Sequence, residues 1–206
     1  AQDAGIVVIN IDNQLDPEFS QSEGLAMVPF ISVNNETAAY QSAKFISEQI
    51  TAPTQAVILE GIRSAQNAED RKNGAVQAFS ENENIELVAL ETAHWKIDEG
   101  YDVTKSLYDT YPDIGAIFAA NDMMALGAIQ YLSEVGKTDD VLVASFDALE
   151  EARSAVKDGT LAVTIDQLAA EQGYLGVQFA IRALNGEALP AETFIDVLMI
   201  TQDTVE

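Results

Sequence analysis

The chain has 206 residues, of which 48% are apolar, and its 34 acidic and 10 basic residues give a formal net charge of −24 at pH 7. A charge of this sign is repelled by nucleic-acid phosphates and by anionic lipid, so neither a nucleic-acid partner nor membrane insertion is expected. The absence of cysteine excludes disulfides and thiolate metal sites, and no apolar run approaches the ~20 residues that span a bilayer.

The predicted elements alternate between short apolar strands and longer helices. Apolar runs bounded by turn residues indicate strands, and apolar residues at helical spacing indicate helices. This alternation is typical of βαβ units, so the sequence predicts an α/β fold with mainly parallel sheets flanked by helices. In chain order we predict a strand at 5–12, a helix at 37–50, a strand at 55–61, a helix at 67–79, a strand at 85–90, a helix at 97–108, a strand at 114–120, a helix at 122–135, a strand at 141–146, a short helix ending at 157, a strand at 161–165, a helix at 169–184 and a last strand near 193–200.

Polar side chains follow four of these strands. Ligands of open α/β sheets bind outside the carboxyl ends of the strands, which makes those positions the first candidates for a site. The residues there are Asp12, Asn121, Asp147 and Gln167. Each could instead cap the helix that follows, and the two roles are compatible. Carboxylates and amides together accept and donate hydrogen bonds to neighbouring hydroxyls, so the set fits an uncharged polyhydroxylated ligand.

Two further side chains fit such a ligand. Arg71, early on its predicted helix, offers a planar bidentate donor. Trp95, in the loop 92–96 after a strand, could stack on the apolar face of a sugar ring, or pack as a hydrophobic staple.

Signatures of catalysis are missing from the sequence. The phosphate-binding motifs G-x-G-x-x-G and G-x-x-x-x-G-K-[ST] do not occur, and neither does the G-x-S-x-G motif that holds a nucleophilic serine. His94 is the only histidine. We therefore expect no enzyme, no cofactor and no metal site. A carbohydrate-active enzyme with paired acids stays as a minor alternative, although no particular pair stands out.

One segment carries a resemblance to a known family. Residues 119–128, AANDMMALGA, resemble the A-x-N-D-x-M-A-L-G-A element of periplasmic sugar-binding proteins and of the related LacI-type repressor cores. Ile11-Asp12-Asn13 looks most similar to the ribose-binding and allose-binding branch.

Three more segments resemble elements of the same family, in the same order and spacing. They are 67–74, similar to the A-x-x-R-x-x-G helix start, 145–147, similar to the G-F-D strand end with Ser145 where glycine is usual, and 164–167, similar to the T-I-x-Q segment at the lobe crossover.

The resemblance implies two α/β lobes that are joined by a hinge and close on a sugar. It implies a remnant of the first lobe at 1–33 and 168–192, and a second lobe at 34–167 and 193–206. Several βα units that open the family's first lobe have no match here, so the chain is expected to be N-terminally truncated.

Roles for single residues follow from the same resemblance. The residues expected to hydrogen-bond the sugar are Asp12, Arg71, Asn121, Asp147 and Gln167. Trp95 is expected to stack on the sugar, and Asn13 lies beside Asp12, where the ribose binders carry an arginine.

The function that the resemblance implies is a periplasmic receptor that captures a monosaccharide. Its expected partners are the sugar, an ABC transporter permease or a chemoreceptor, and either the missing N-terminal lobe segment or a second copy of the chain. The alternative is the effector-binding core of a LacI-type transcriptional repressor. The net charge argues against this alternative, because a repressor must approach DNA.

Overall fold

The computed structural model describes residues 1–205. It divides into two compact units: unit 1 comprises Ala1–Asn34 and Leu168–Val197, and unit 2 comprises Asn35–Gln167 and the chain from Leu198 onward. The elements in chain order are β1 (Asn10–Ile11), α1 (Pro17–Ser22), β2 (Phe30–Val33), α2 (Asn35–Ser47), β3 (Thr54–Glu60), α3 (Gln66–Ser80), β4 (Ile85–Thr92), α4 (Ile97–Thr110), β5 (Ile114–Ala119), α5 (Asp122–Glu134), β6 (Leu142–Ala144), α6 (Glu150–Lys157), β7 (Thr164–Asp166), α7 (Ala169–Leu184), β8 (Glu192–Ile195) and β9 (Leu198–Ile200).

Unit 2 is built on a parallel sheet with the strand order β4-β3-β5-β6. The apolar stretches of the central strands β3 and β5 are buried, as expected for strands that are covered on both faces. Ile58, Leu59, Ile117 and Phe118 have no exposed surface and form the middle of the core. A separate antiparallel pair, β7 with β9, completes the unit.

Two helix pairs in unit 2 approach closely because glycines lie where they meet. An added Cβ at Gly127 of α5 would lie 2.0 Å from the carbonyl oxygen of Ile97, at the start of α4. An added Cβ at Gly74 of α3 would lie 2.1 Å from the carbonyl oxygen of Glu36 on α2. Only a residue without a side chain allows the backbones to touch in this way.

Unit 1 contains a parallel sheet with the order β1-β2-β8, and helix α7 packs against β1 and β2. Gly176 of α7 lies directly over Ile11, because an added Cβ there would meet the Ile11 side chain at 2.3 Å. Phe30 and Phe194, on neighbouring strands, contact edge to face with ring centroids 6.3 Å apart.

The structure differs from the sequence-based expectation mainly in unit 1. The strand predicted at 5–12 is regular only over Asn10–Ile11, where β2 pairs with it, and neither α1 nor β2 was predicted. The single last strand predicted near 193–200 is two strands, because the chain leaves unit 1 after Val197. None of the helices among residues 1–205 is both long enough and apolar enough to cross a membrane.

Candidate functional site

Five of the seven predicted site residues lie in unit 2, near the carboxyl ends of its strands. Contacts among their side chains and backbones link them into a cluster that we call the polar cluster; it consists of Arg71, Trp95, Asn121, Asp147 and Gln167. The other two predicted residues, Asp12 and Asn13, belong to unit 1.

Arg71 is the centre of the polar cluster. It comes from the second turn of α3 and is only 2% exposed. Its Nε donates to Oδ1 of Asn35 at 2.8 Å, and its Nη1 donates to the carbonyl oxygen of Ala120 at 3.0 Å and to Oδ1 of Asp147 at 3.3 Å. A cation at this depth requires such partners because the interior solvates it poorly.

Aromatic rings cover the guanidinium. The Cζ atom of Arg71 lies 3.7 Å from the centroid of the Phe146 ring and 5.7 Å from that of Trp95. Both distances are within the range of cation–π attraction, which strengthens where water is excluded. The rings and the hydrogen bonds together hold the guanidinium in one orientation.

Asp147 presents the acidic group of the polar cluster. It follows β6 after Ser145 and Phe146, and its side chain is 21% exposed. Its Oδ1 accepts from Arg71 and from Nε2 of Gln167, the latter at 2.8 Å. The carboxylate is therefore held from the protein side while part of it reaches the surface of unit 2.

Trp95 lies in the turn between β4 and α4, where His94 and Trp95 both have positive φ, 47° and 67°. The half-buried indole packs directly on Gly61, so closely that an added Cβ at Gly61 would lie 2.0 Å from the Cζ2 atom of the indole. Glu99, which lies on α4, contacts both His94 and Lys96 at 2.5 Å and so stabilises the turn. The hydrogen bond from Lys96 makes the largest contribution to lowering the pKa of Glu99, and the hydrogen bond from His94 lowers it further.

Asn121 carries out the capping role that the sequence left open. Its Oδ1 accepts from the backbone nitrogen of Met124 at 3.0 Å and so caps α5. Its Nδ2 donates to the carbonyl oxygen of Trp95 at 3.4 Å, which connects the helix start to the aromatic turn.

Asp12 and Asn13 follow β1 in unit 1, and both are exposed. Asp12 has a positive φ of 71°, and its backbone is fixed to β2: its nitrogen donates to Ile31 at 2.9 Å, and its carbonyl oxygen accepts from the Ser32 hydroxyl at 2.9 Å. The carbonyl oxygen of Asn13 accepts from Nδ2 of Asn10 at 2.9 Å.

Two residues that contact Arg71, namely Asn35 and Phe146, were not predicted from the sequence to lie at the polar cluster. Asn35 lies two positions after the end of β2, as Asn121 does after β5, so the rule that singles out strand ends applies to it, but β2 itself was not predicted. Phe146 lies in the segment 145–147 that resembles the family, and no periodicity indicates that its ring faces a guanidinium.

The side chains of the polar cluster can form hydrogen bonds and an apolar contact with a ligand. A carboxylate that accepts and an amide that donates stand side by side, and Arg71 contacts both this carboxylate and a half-buried indole. Adjacent hydroxyls of a sugar need this combination of acceptors and donors, and the indole offers an apolar face to a ring. Within residues 1–205, no three acidic or histidine side chains are gathered so that they could hold a metal ion.

Comparison with known proteins gives a consistent family assignment. The sequence profile described as the periplasmic binding protein domain matches residues 1–188. The D-ribose/D-allose-binding protein of Pseudomonas aeruginosa is 33% identical over 187 residues, which are 91% of this chain and 58% of that protein. The D-allose-binding periplasmic protein of Escherichia coli is 31% identical over 205 residues, which are 96% of this chain and 66% of that protein.

Similar solved structures support the same family assignment as the sequence relatives. An ABC transporter periplasmic solute-binding protein of Actinobacillus succinogenes with bound D-allose is 34% identical and superimposes with a TM-score of 0.94, over 98% of this chain and 72% of that one. A solute-binding protein of Bacillus halodurans with bound myo-inositol is 30% identical and superimposes with a TM-score of 0.89, over 99% of this chain and 69% of that one. The predicted α/β fold class is confirmed, and none of the proteins named here is a repressor or an enzyme.

Proposed function

This chain belongs to the periplasmic binding protein domain family, and from that membership we propose that it acts as a solute receptor which captures a monosaccharide between two lobes. In this proposal the polar cluster of unit 2 binds the sugar, and Asp12 and Asn13 contribute from unit 1. Closure on the sugar is the signal that the receptor passes on, and no bond of the sugar is broken.

The observation that carries the proposal is the arrangement of Arg71, Asp147 and Gln167. A buried cation and an amide both contact one oxygen of Asp147, so the carboxylate is oriented before any ligand arrives. Hydrogen bonds to charged groups contribute about 1.5–3 kcal/mol each, and a few of them hold a small polyol firmly. An anionic ligand would be repelled by Asp147 and by the net charge of −24.

The ligand class that we propose is a neutral monosaccharide or a cyclic polyol of similar size. It is supported by the relatives, which are D-ribose/D-allose-binding and D-allose-binding proteins, and by the similar structures with bound D-allose and myo-inositol. The proposed partner is the permease of an ABC transporter or a chemoreceptor, and the proposed location is the periplasm.

A second contact surface is proposed on unit 1. The exposed fractions of Ile6, Phe19 and Met27 are 58%, 63% and 58%. A cavity of about 360 Å³ nearby is lined by Leu15, Leu25 and other side chains of the same unit. Exposed apolar surface of this kind marks an interaction site, and we propose that a segment of the first lobe or a second copy of the chain covers it in the working receptor.

Native mass spectrometry tests both proposals in one measurement. The chain covers only 58% of the Pseudomonas relative, so the product of the complete gene is compared with residues 1–206 against a panel of aldopentoses and aldohexoses. We expect one sugar per complete protein, for one or a few sugars of the panel, and dimers of residues 1–206. A spectrum without adducts for every sugar, or a change in the mass of the sugar itself, would contradict the receptor function.

A further inference from the structure

Asp122 is a buried carboxylate that contacts residues on both sides of Asp147, a side-chain hydroxyl on one side and a backbone nitrogen on the other. It is the first residue of α5 and has no exposed surface. Its Oδ1 accepts from the hydroxyl of Ser145 at 2.5 Å, two residues before Asp147. Its Oδ2 accepts from the backbone nitrogen of Leu149 at 2.7 Å, two residues after Asp147.

The backbone between these two contacts adopts an unfavourable conformation. Asp147 and Ala148 have positive φ, 114° and 55°, although neither is glycine. Such a conformation costs free energy and persists only where the surroundings fix it. We call residues 145–149 the Asp147 turn.

Three successive backbone N–H groups of the Asp147 turn are fixed by β7 and by Asp122. Asp147 donates to the carbonyl oxygen of Ile165 at 2.8 Å, and Ala148 donates to the hydroxyl oxygen of Thr164 at 3.1 Å. The hydroxyl of Thr164 in turn donates to Oδ1 of Asp122 at 2.7 Å. Two of the three N–H groups, those of Ala148 and Leu149, thus depend on Asp122, one directly and one through Thr164.

The hydrogen bonds around Asp122 fit its ionised form. The N–H of Leu149 can only donate, and the hydroxyl of Thr164, which accepts from Ala148, gives its proton to Asp122. With the hydroxyl of Ser145, three donors meet one carboxylate, and only the ionised carboxylate accepts from all of them without carrying a proton of its own.

Burial opposes this ionisation. It raises the pKa of Asp122 to about 7, against the lowering effect of the hydrogen bonds from Ser145, Thr164 and Leu149, and the charge of Asp147 adds slightly to the rise. The other charged groups next to the Asp147 turn are Arg71, paired with Asp147, Arg153, which donates to the carbonyl oxygen of Ala148 at 3.1 Å, and Asp166, which is paired with Arg153.

We propose that Asp122 is a positioning residue for the polar cluster: by binding both sides of the Asp147 turn it fixes the direction in which the Asp147 carboxylate faces. The inference rests on the proposed function, because Asp147 matters only if it binds the sugar. It also implies that the turn is held best when Asp122 is ionised and loosens when Asp122 takes up a proton.

The test begins with a measurement that needs no sugar. Amide proton–nitrogen correlation spectra of the chain are recorded from about pH 5 to about pH 9, in wild type, in Asp122→Asn and in the control Asp139→Asn, which removes an exposed carboxylate. We expect the amide signals of Ala148 and Leu149 to titrate with a midpoint of about 7 in wild type and in the control, and to be flat in Asp122→Asn. Signals that do not titrate in wild type, or that titrate equally in Asp122→Asn, would overturn the positioning role.

A second arm measures affinity and stability on the product of the complete gene. The affinity for D-allose or D-ribose should fall about tenfold or more in Asp122→Asn above pH 7, and in wild type it should fall as the pH drops below 7. The stability that Asp122 contributes changes in the opposite direction. Its pKa is raised above the unfolded value, so this contribution is present at low pH and lost as the pH rises through about 7.

The opposite signs separate positioning from a purely structural role, which would make affinity and stability fall together. If affinity and stability change in the same direction with pH, the positioning role is wrong. If the wild type binds no sugar at all, the proposed function is wrong, and the amide signals of the Asp147 turn still decide whether Asp122 fixes the turn.

Discussion

Arg71 is 2% exposed, and a guanidinium at that depth persists only if its partners replace the lost water. Asn35, Ala120 and Asp147 provide oxygen acceptors, and Phe146 covers the face of the guanidinium. The group that orients Asp147 is thus also a buried charge that must be paired for the chain to fold.

The packing of Trp95 on Gly61 gives a prediction at a single residue. In Gly61→Ala the new Cβ would lie 2.0 Å from the indole, so the ring must leave its half-buried position, and we expect more of it to meet water. Because Trp95 is the only tryptophan, its fluorescence reports the change directly, and we expect the emission maximum to shift to longer wavelength. Ile62→Ala changes the next residue, which is 41% exposed, and should leave the emission as it is. Identical emission in Gly61→Ala and wild type would show that the indole does not occupy this position.

The sequence predicts part of this site. Asn121 and Asp147 follow strands of the parallel sheet, whose carboxyl ends meet at one edge, so the strand pattern is enough to predict that they lie close together. Gln167 was predicted by the same rule, although the strand before it, β7, pairs antiparallel with β9. The covering of Arg71 by Phe146 was not predicted, because a buried cation–π contact joins residues far apart in the chain and leaves no periodic signal. Asp122 is the fourth residue of the segment 119–128, and the sequence does not show that its side chain is fully buried and contacts residues on both sides of Asp147.

Among the elements, the contact of α4 with α5 depends on two glycines. An added Cβ at Gly100 would lie 2.5 Å from the carbonyl oxygen of Met124, and one at Gly127 would lie 2.0 Å from that of Ile97. These obstacles are backbone atoms, which cannot rotate aside. The two helices flank the strands β4 and β5, whose ends carry Trp95 and Asn121, so their spacing fixes part of the site.

We predict that Gly127→Ala lowers the free energy of unfolding by about 1–3 kcal/mol, because the helices must move apart to admit the methyl group. The matched control is Gly173→Ala in α7, where an added Cβ meets nothing within 4 Å. Alanine is the better helix former, so this control should be neutral or stabilise by about 0.4–1 kcal/mol. Urea unfolding measures the free energy of unfolding of both variants. Equal stability of Gly127→Ala and wild type would contradict the close helix contact.

The helices and strands of unit 2 follow the sequence pattern within about three residues, and in unit 1 helix α7 has its predicted bounds while the short elements β1, α1 and β2 depart from the prediction. The strand β3 and the helix α5 are long, strongly apolar or periodic, and both were predicted within one or two residues. In contrast, β2 has four residues and ends one residue before α2, and α1 has six residues that begin with Pro17 in a polar stretch. Elements this short are defined by the strands and helices that pair with them, which local patterns do not contain.

On the scale of the whole molecule, the chain combines two units with a strongly acidic surface. It passes between the units at residues 34–35, 167–168 and 197–198. Gln167, which donates to Asp147, is the last residue of unit 2 before the second of these passages. The net charge of −24 does not determine the fold, but it suits a protein that binds a neutral solute and avoids anionic surfaces.

The proposed function requires that the Asp147 carboxylate binds a neutral sugar, and isothermal titration calorimetry measures this binding. The product of the complete gene is titrated with D-allose, D-ribose and myo-inositol, as wild type, as Asp147→Asn and as the control Asp139→Asn. We predict one site per protein in wild type and in the control, and an affinity that is lower by about tenfold to a hundredfold in Asp147→Asn, whose amide keeps the shape but loses the charge. Equal affinity in wild type and Asp147→Asn would contradict the claim.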